Sequence, residues 1–179
     1  MALADFNFDL LSENFDLDSF DSTDADIDEF LKQDALNYQE EMMAKTYLFY
    51  KDRSTIIAFF SILNDCLQDK GYSNNVWNKF HRKQSIPNRK RIRQYPAIKI
   101  GRLGVAKDFQ GTGVAYELMD FIKGFSILEL KPACRLLLLD AYNKPQQLRY
   151  YKSNGFTFLF EDPENAKTRL MYYDLIELS

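Results

Sequence analysis

The segment Gln110-Gly111-Thr112-Gly113-Val114-Ala115 is where residue types and spacing most directly suggest chemistry. Small residues let a backbone approach a ligand closely, and N–H groups at a helix start converge on an anion. The segment lacks the Lys-Ser/Thr of a nucleoside-triphosphate loop and is not Gly-x-Gly-x-x-Gly. A triphosphatase and a dinucleotide-binding reading are thus disfavoured. For the hexapeptide alone, a strand-to-helix turn that binds nothing is the alternative. Other reactive side chains are few. Tyr150 and Tyr151 precede Gly155-Phe156. His81 is the single histidine and reads as solvated or facing nucleic acid rather than as a base. Cys66 and Cys134 make neither a disulfide framework nor a zinc spacing, so no metal is expected.

The elements around this loop follow from periodicity. Ala97–Ala106 reads as a strand, Gly113–Phe125 as a helix and Ala133–Ala141 as an apolar strand. Pro145 suits the first position of a helix running to about Asn154, with Gly155 closing it. Strand-like stretches follow at Phe156–Phe160 and Arg169–Leu178. Upstream, Thr23 or Asp24 can cap a helix carrying Ile27, Phe30, Leu31, Ala35 and Tyr38. Thr46–Tyr50 and Thr55–Leu63 read as a hairpin across the polar turn 51–54. The polar stretch from Asn64 to Tyr95 reads as an excursion with a short helix near Val76–His81. Within residues 1–19 an ordered strand is expected only near Phe15–Phe20.

The chain has 179 residues, 46% of them hydrophobic, enough for one packed domain. Residues 1–15 are read as an acidic leader and 16–179 as a single domain. The net charge of −3 conceals a segregation. Residues 1–31 hold ten acids and no Lys or Arg, whereas residues 79–102 hold nine bases and no acid. The start has no basic stretch before an apolar one, and no apolar run approaches ~18 residues. A cytoplasmic location without membrane contact is the expectation.

Taken together, the strand ending at Ala106, the Gln-x-x-Gly-x-Ala loop, the amphipathic helix, the apolar strand and Tyr151-x-x-x-Gly155-Phe156 resemble the GCN5-related N-acetyltransferase (GNAT) superfamily. The resemblance implies an α/β (α+β) fold with a central mixed, largely antiparallel sheet flanked by helices and splayed at the acetyl-CoA site. It implies that acetyl-CoA is consumed and coenzyme A released. Backbone groups of Leu103, Gly104 and Val105 would meet the thioester and pantetheine arm. Gln110, Gly111, Thr112, Gly113, Val114 and Ala115 would surround the pyrophosphate, and Asn143 would touch the cofactor arm. Tyr151 stands where the superfamily often has a general acid. No general base is evident, but an α-amino group titrating near ~7.7–8.0 is partly neutral already.

The opening Phe20-Asp21-Ser22, then Ile27-Asp28-Glu29-Phe30-Leu31 and Ala35, resembles the toxin-type acetyltransferases of bacterial toxin–antitoxin pairs, with Ser22-Thr23 in place of their Cys-Gly. That likeness implies an aminoacyl-tRNA acceptor, a cognate antitoxin and a homodimer. Arg89, Lys90, Arg91 and Arg93 would then hold RNA phosphates. A small amine, a protein lysine or N-terminus as acceptor, and a non-catalytic acyl-CoA- or RNA-binding module, stay open beside it.

Overall fold

Residues 46–63 form a hairpin because β-branched and aromatic side chains alternate on either side of a polar turn. In this computed structural model, which describes residues 2–130, 133–159 and 166–178, β2 (Lys45–Asp52) and β3 (Thr55–Gln68) pair antiparallel, Tyr47 opposite Phe60. Ile56 to Ile62 are buried without interruption. An unbroken apolar run of this kind marks a strand covered on both faces. The other strands are β1 (Asn7–Leu10), β4 (Gln94–Val105), β5 (Leu136–Tyr142), β6 (Thr157–Phe158) and β7 (Thr168–Asp174). They form one seven-stranded sheet ordered β1-β2-β3-β4-β5-β7-β6. The β1–β2, β2–β3, β5–β7 and β6–β7 pairings are antiparallel. Helices flank this sheet, giving the mixed α/β, largely antiparallel architecture expected.

The chain folds into two compact units, residues 1–63 with 100–124, and residues 64–99 with 125–179. In the first, the acidic start is part of the sheet. The strand lies at Asn7–Leu10 rather than within Phe15–Phe20, because only there do apolar and polar residues alternate cleanly. Asn7 and Asp9 are exposed while Phe8 and Leu10 turn inward. Phe15 and Phe20 are instead buried from irregular chain beside Leu11, Leu31 and Phe59. Asp24 caps α1 (Ala25–Glu29) by accepting the Asp26 N–H at 3.1 Å. A π-helical turn, Phe30–Asp34, joins α1 to α2 (Ala35–Glu40), and Leu31 and Ala35 are buried along it. Helix α4 (Val114–Leu128) runs across the unit boundary and buries Val114, Leu118, Met119 and Ile122 at helical spacing.

The second unit corrects the reading of residues 64–95 as a polar excursion. Helix α3 (Asn74–Lys83), capped by Ser73, places Trp77, Phe80 and His81 on one buried face. Trp77, Phe80, Ile86 and Tyr95 pack with Leu136, Leu138 and Tyr172 as this unit's core. His81 is only 3% exposed, so it is neither solvated nor facing a ligand. The polar composition of α3 lies on its outer face and conceals a spacing of three and four residues that buries the rest. Helix α5 (Pro145–Ser153) starts on Pro145, and Gly155 at φ +83° ends it as expected. The final strand stops at Asp174, earlier than the sequence suggests, and Leu175–Leu178 forms a 3-10 turn. Asp174 is buried there, paired with Arg135 at 2.6 Å. Phe160, expected in the preceding strand, lies outside the described residues. Among those described, no helix is long and apolar enough to cross a membrane.

Candidate active site

The 3-10 turn Lys107–Phe109 delivers the chain from β4 to the glycine-rich loop. Gly111 and Gly113 take φ of +74° and +98°, values that disfavour any residue with a Cβ. No atom lies within 4 Å of where a Cβ would stand on either, so their small size serves neither neighbour packing nor burial. Among the described residues, the N–H groups of Gly111, Thr112, Gly113 and Val114 donate to no acceptor. A helix start that leaves a run of donors open beside an unfilled space suits an anion.

The loop is held from the side of the chain's acidic opening. Gln110 donates through Nε2 to Ser22 O at 2.8 Å and Val105 O at 3.0 Å. Lys107 N–H reaches Asp21 O at 2.8 Å, and Ser22 N–H reaches the Asp28 carboxylate at 2.9 Å. The Gln110 side chain is thus a brace, and Asp21-Ser22 belong to the loop's support. No motif signals that role, because the two residues act through backbone carbonyls that residue patterns do not reveal. Thr112 Oγ1 closes the turn on Phe109 O at 2.6 Å. On β4, Gly104 has a packing reason: a Cβ there would stand 2.7 Å from Phe59 Cε1 and 2.8 Å from Ile27 Cγ2. Gly104 and Val105 are buried, while Leu103 stays partly exposed.

Tyr151 and Asn143 lie in the second unit. Tyr151 sits in the last turn of α5, its ring edge-on to Phe156 with centroids 6.0 Å apart. Burial pushes its phenol up to about 12. Its hydroxyl has no hydrogen-bond partner among the described residues. A proton that is firmly held yet not shared with the protein suits a donor to an incoming anion. Asn143 donates through Nδ2 to Ala166 O at 3.0 Å, which fastens the approach to β7.

The basic strip divides in two. Arg91 Nε donates to Ile86 O at 3.2 Å, and Arg93 Nε pairs with Asp69 at 2.7 Å. Lys99 lies 2.6 Å from Asp140 and 3.5 Å from Asp65. Burial pulls its ammonium down, but the two carboxylates more than offset this and hold it above its ordinary value. Arg102 pairs with Asp26 at 3.5 Å. Arg89 and Lys90 stay exposed on the 3-10 turn Asn88–Lys90, as do Lys79, Arg82 and Lys83 on α3. No ion pair engages any of these five among the described residues. No cluster of His, Cys, Asp or Glu there could hold a metal ion.

A sheet of this order with a strand-to-helix loop whose donors are open is the arrangement expected of an acyl-CoA-dependent transferase. Residues 46–158 match the family model described as an acetyltransferase (GNAT) domain, and the chain belongs to that family. It is an acetyl-CoA-dependent N-acetyltransferase. No curated protein sequence matches. Among solved structures, similarity extends to a tyrosine-to-phenylalanine mutant of the AtaT toxin bound to the C-terminus of the antitoxin AtaR and acetyl-CoA, at 14% identity and TM-score 0.72, covering 97% of this chain and 96% of that one. AtaT complexed with acetyl-methionyl-tRNAfMet is 17% identical at TM-score 0.71, with the same coverage. A tyrosine-to-phenylalanine mutant of KacT is also 17% identical, at TM-score 0.69 and the same coverage. At such identities the likeness is one of fold.

The loop fits a diphosphate of the kind acetyl-CoA carries, by its open donors and its two glycines. Gly113→Ala puts a Cβ on a left-handed backbone, a strain of about 1–2 kcal/mol. The loop escapes that strain only by leaving the conformation that gathers its N–H groups. Acetyl-CoA affinity should therefore fall about 5- to 30-fold, measured by calorimetric titration. An unchanged Kd would separate this loop from the cofactor.

Proposed function

We propose that the chain acetylates the α-amino group of aminoacyl-tRNA in the cytoplasm, as a translation-blocking toxin held in check by a cognate antitoxin. The observation that carries this reading is a group of exposed cations, Lys79, Arg82, Lys83, Arg89 and Lys90, with no ion pair among the described residues, in a stretch without one acid from Lys70 to Lys107. Phosphate backbones are bound chiefly through such groups. The fold shared with AtaT, seen with acetyl-methionyl-tRNAfMet and with an antitoxin segment, supports it.

In this reading the N–H groups of Gly111 to Val114 and the start of α4 bind the pyrophosphate, and Gln110 keeps them in place. Backbone groups of Leu103 to Val105 receive the pantetheine arm. Acetyl-CoA, when bound, supplies a thioester open to attack by an amine. An N–H on this strand stabilises negative charge on the carbonyl oxygen. Tyr151 is the general acid of this reading, giving its proton to the departing thiolate. The acceptor amine needs no strong base, since an α-amino group is partly neutral near pH 7.5. Radiolabelled acetyl-CoA incubated with total charged tRNA should place label in the RNA fraction, released by mild alkali together with the amino acid. Label that never enters RNA while passing to small amines or peptides would replace the acceptor in this reading.

A further inference from the structure

The segment that joins α3 to β4 carries charge at its tip, yet its flanks are fastened to the core. Ile86 is buried and its N–H donates to His81 O at 2.9 Å. At the far flank, Trp77 Nε1 donates to Ile92 O at 3.2 Å, and Ile92 N–H donates to Tyr95 Oη at 3.2 Å. Tyr95 Oη lies 3.1 Å from His81 Nε2. The tyrosine oxygen thus ties the loop, through Ile92 N–H, to the His81 ring of α3. Arg91 bonds back to Ile86 O, and Asp69 holds Arg93 through both its carboxylate and its N–H, the latter to Arg93 O at 3.0 Å. A loop whose charge served only solubility would need none of these ties.

The ties leave the exposed cations in two groups of fixed relation. Lys79, Arg82 and Lys83 share one face of α3 at spacings of three and four. Arg89 and Lys90 sit on the turn between the fastened flanks. Cations held in place bind a polyanion without the ordering cost that a mobile loop would incur.

We propose that Lys79, Arg82, Lys83, Arg89 and Lys90 form one RNA-phosphate surface, and that Trp77, His81 and Tyr95 are positioning residues that hold its loop half against its helix half. This rests on the tRNA acceptor reading above. His81 links α3 to the loop directly through its carbonyl, to Ile86, and by way of Tyr95 Oη through its ring, to Ile92, so the buried aromatic cluster sets the spacing between the two cation groups. Burial first, and the nearby Arg91 charge second, hold the imidazole below its ordinary range.

The test measures binding of fluorescent total tRNA by the full chain across a salt series. Lys79→Ala/Arg82→Ala/Lys83→Ala and Arg89→Ala/Lys90→Ala should each flatten the log–log salt slope, by about one unit for every phosphate that is no longer neutralised. Tyr95→Phe keeps the ring but cuts both hydrogen bonds, and should weaken binding about five- to tenfold. On the Arg89→Ala/Lys90→Ala background the same change should have no further effect, a coupling that a merely structural tyrosine would not show. Trp77→Phe, which removes the Nε1 donor together with part of the indole ring, is the second variant should Tyr95→Phe unfold. Acetyl-CoA affinity serves as the control and should stay level throughout. Wild type that does not bind tRNA overturns the acceptor reading and the surface with it. Wild type that binds while both cation variants match it overturns the surface alone. Independent, additive losses for Tyr95→Phe and Arg89→Ala/Lys90→Ala overturn the positioning role.

Discussion

Tyr151→Phe should lower kcat by about 10²- to 10⁴-fold, the usual contribution of a positioned general acid, while the KM for acetyl-CoA stays within about twofold. The ring is retained, so its edge-on packing against Phe156 survives. The hydroxyl has no partner among the described residues, so its loss leaves no acceptor stranded, and the melting temperature should hold or rise slightly. This separates a chemical role from a packing role. A tyrosine that only packs would leave kcat unchanged. The pH profile carries the same signature. Burial raises the phenol to about 12, so the protonated form is the working one and persists well above neutrality. From about pH 6 to 10 the wild type should show no descending alkaline limb from this group. A loss of kcat centred near pH 10 that disappears in Tyr151→Phe would contradict the burial.

Deleting residues 1–15 should destabilise the first unit enough to lose soluble, cooperatively folding protein. Leu3, Leu11 and Phe15 are each buried. At about 1.5–3 kcal/mol per buried side chain, their removal approaches the roughly 5–15 kcal/mol that holds a domain together. The loss extends further. β1 covers the edge of β2, and Phe8 stacks among Phe49, Phe60 and Phe121 with centroids 4.9, 6.2 and 4.7 Å away. Leu3 N–H also donates to the Glu117 carboxylate on α4. Any folded remnant should melt at least about 10 °C lower by circular dichroism. A truncated chain with the melting temperature of the full one would return these residues to the status of a leader.

Much of the fold was legible because the relevant signals are local. The β2–β3 hairpin, α4, β5 and α5 each show a period, a cap or a turn residue within their own span. The glycine loop was legible for the same reason, since Gly111 and Gly113 report a backbone requirement at their own positions. Where short-range pattern misled, a distant neighbour decided. β1 is four residues long and becomes a strand only against β2. His81 sits in a polar stretch and is buried only because Trp77 and Phe80 share its helix face over Tyr95 and Tyr172.

The sequence by itself determined the family, through motifs in a set order, and marked Gly111, Gly113 and Tyr151 as the candidates for acetyl transfer. Tertiary structure decided which charges are available. Nine bases in residues 79–102 look alike in a row of letters. Asp69, Asp65, Asp140 and Asp26, brought close by the fold, engage Arg93, Lys99 and Arg102, and a backbone carbonyl engages Arg91. Composition counts a charge wherever it stands, whereas a ligand meets only those that folding leaves without a partner.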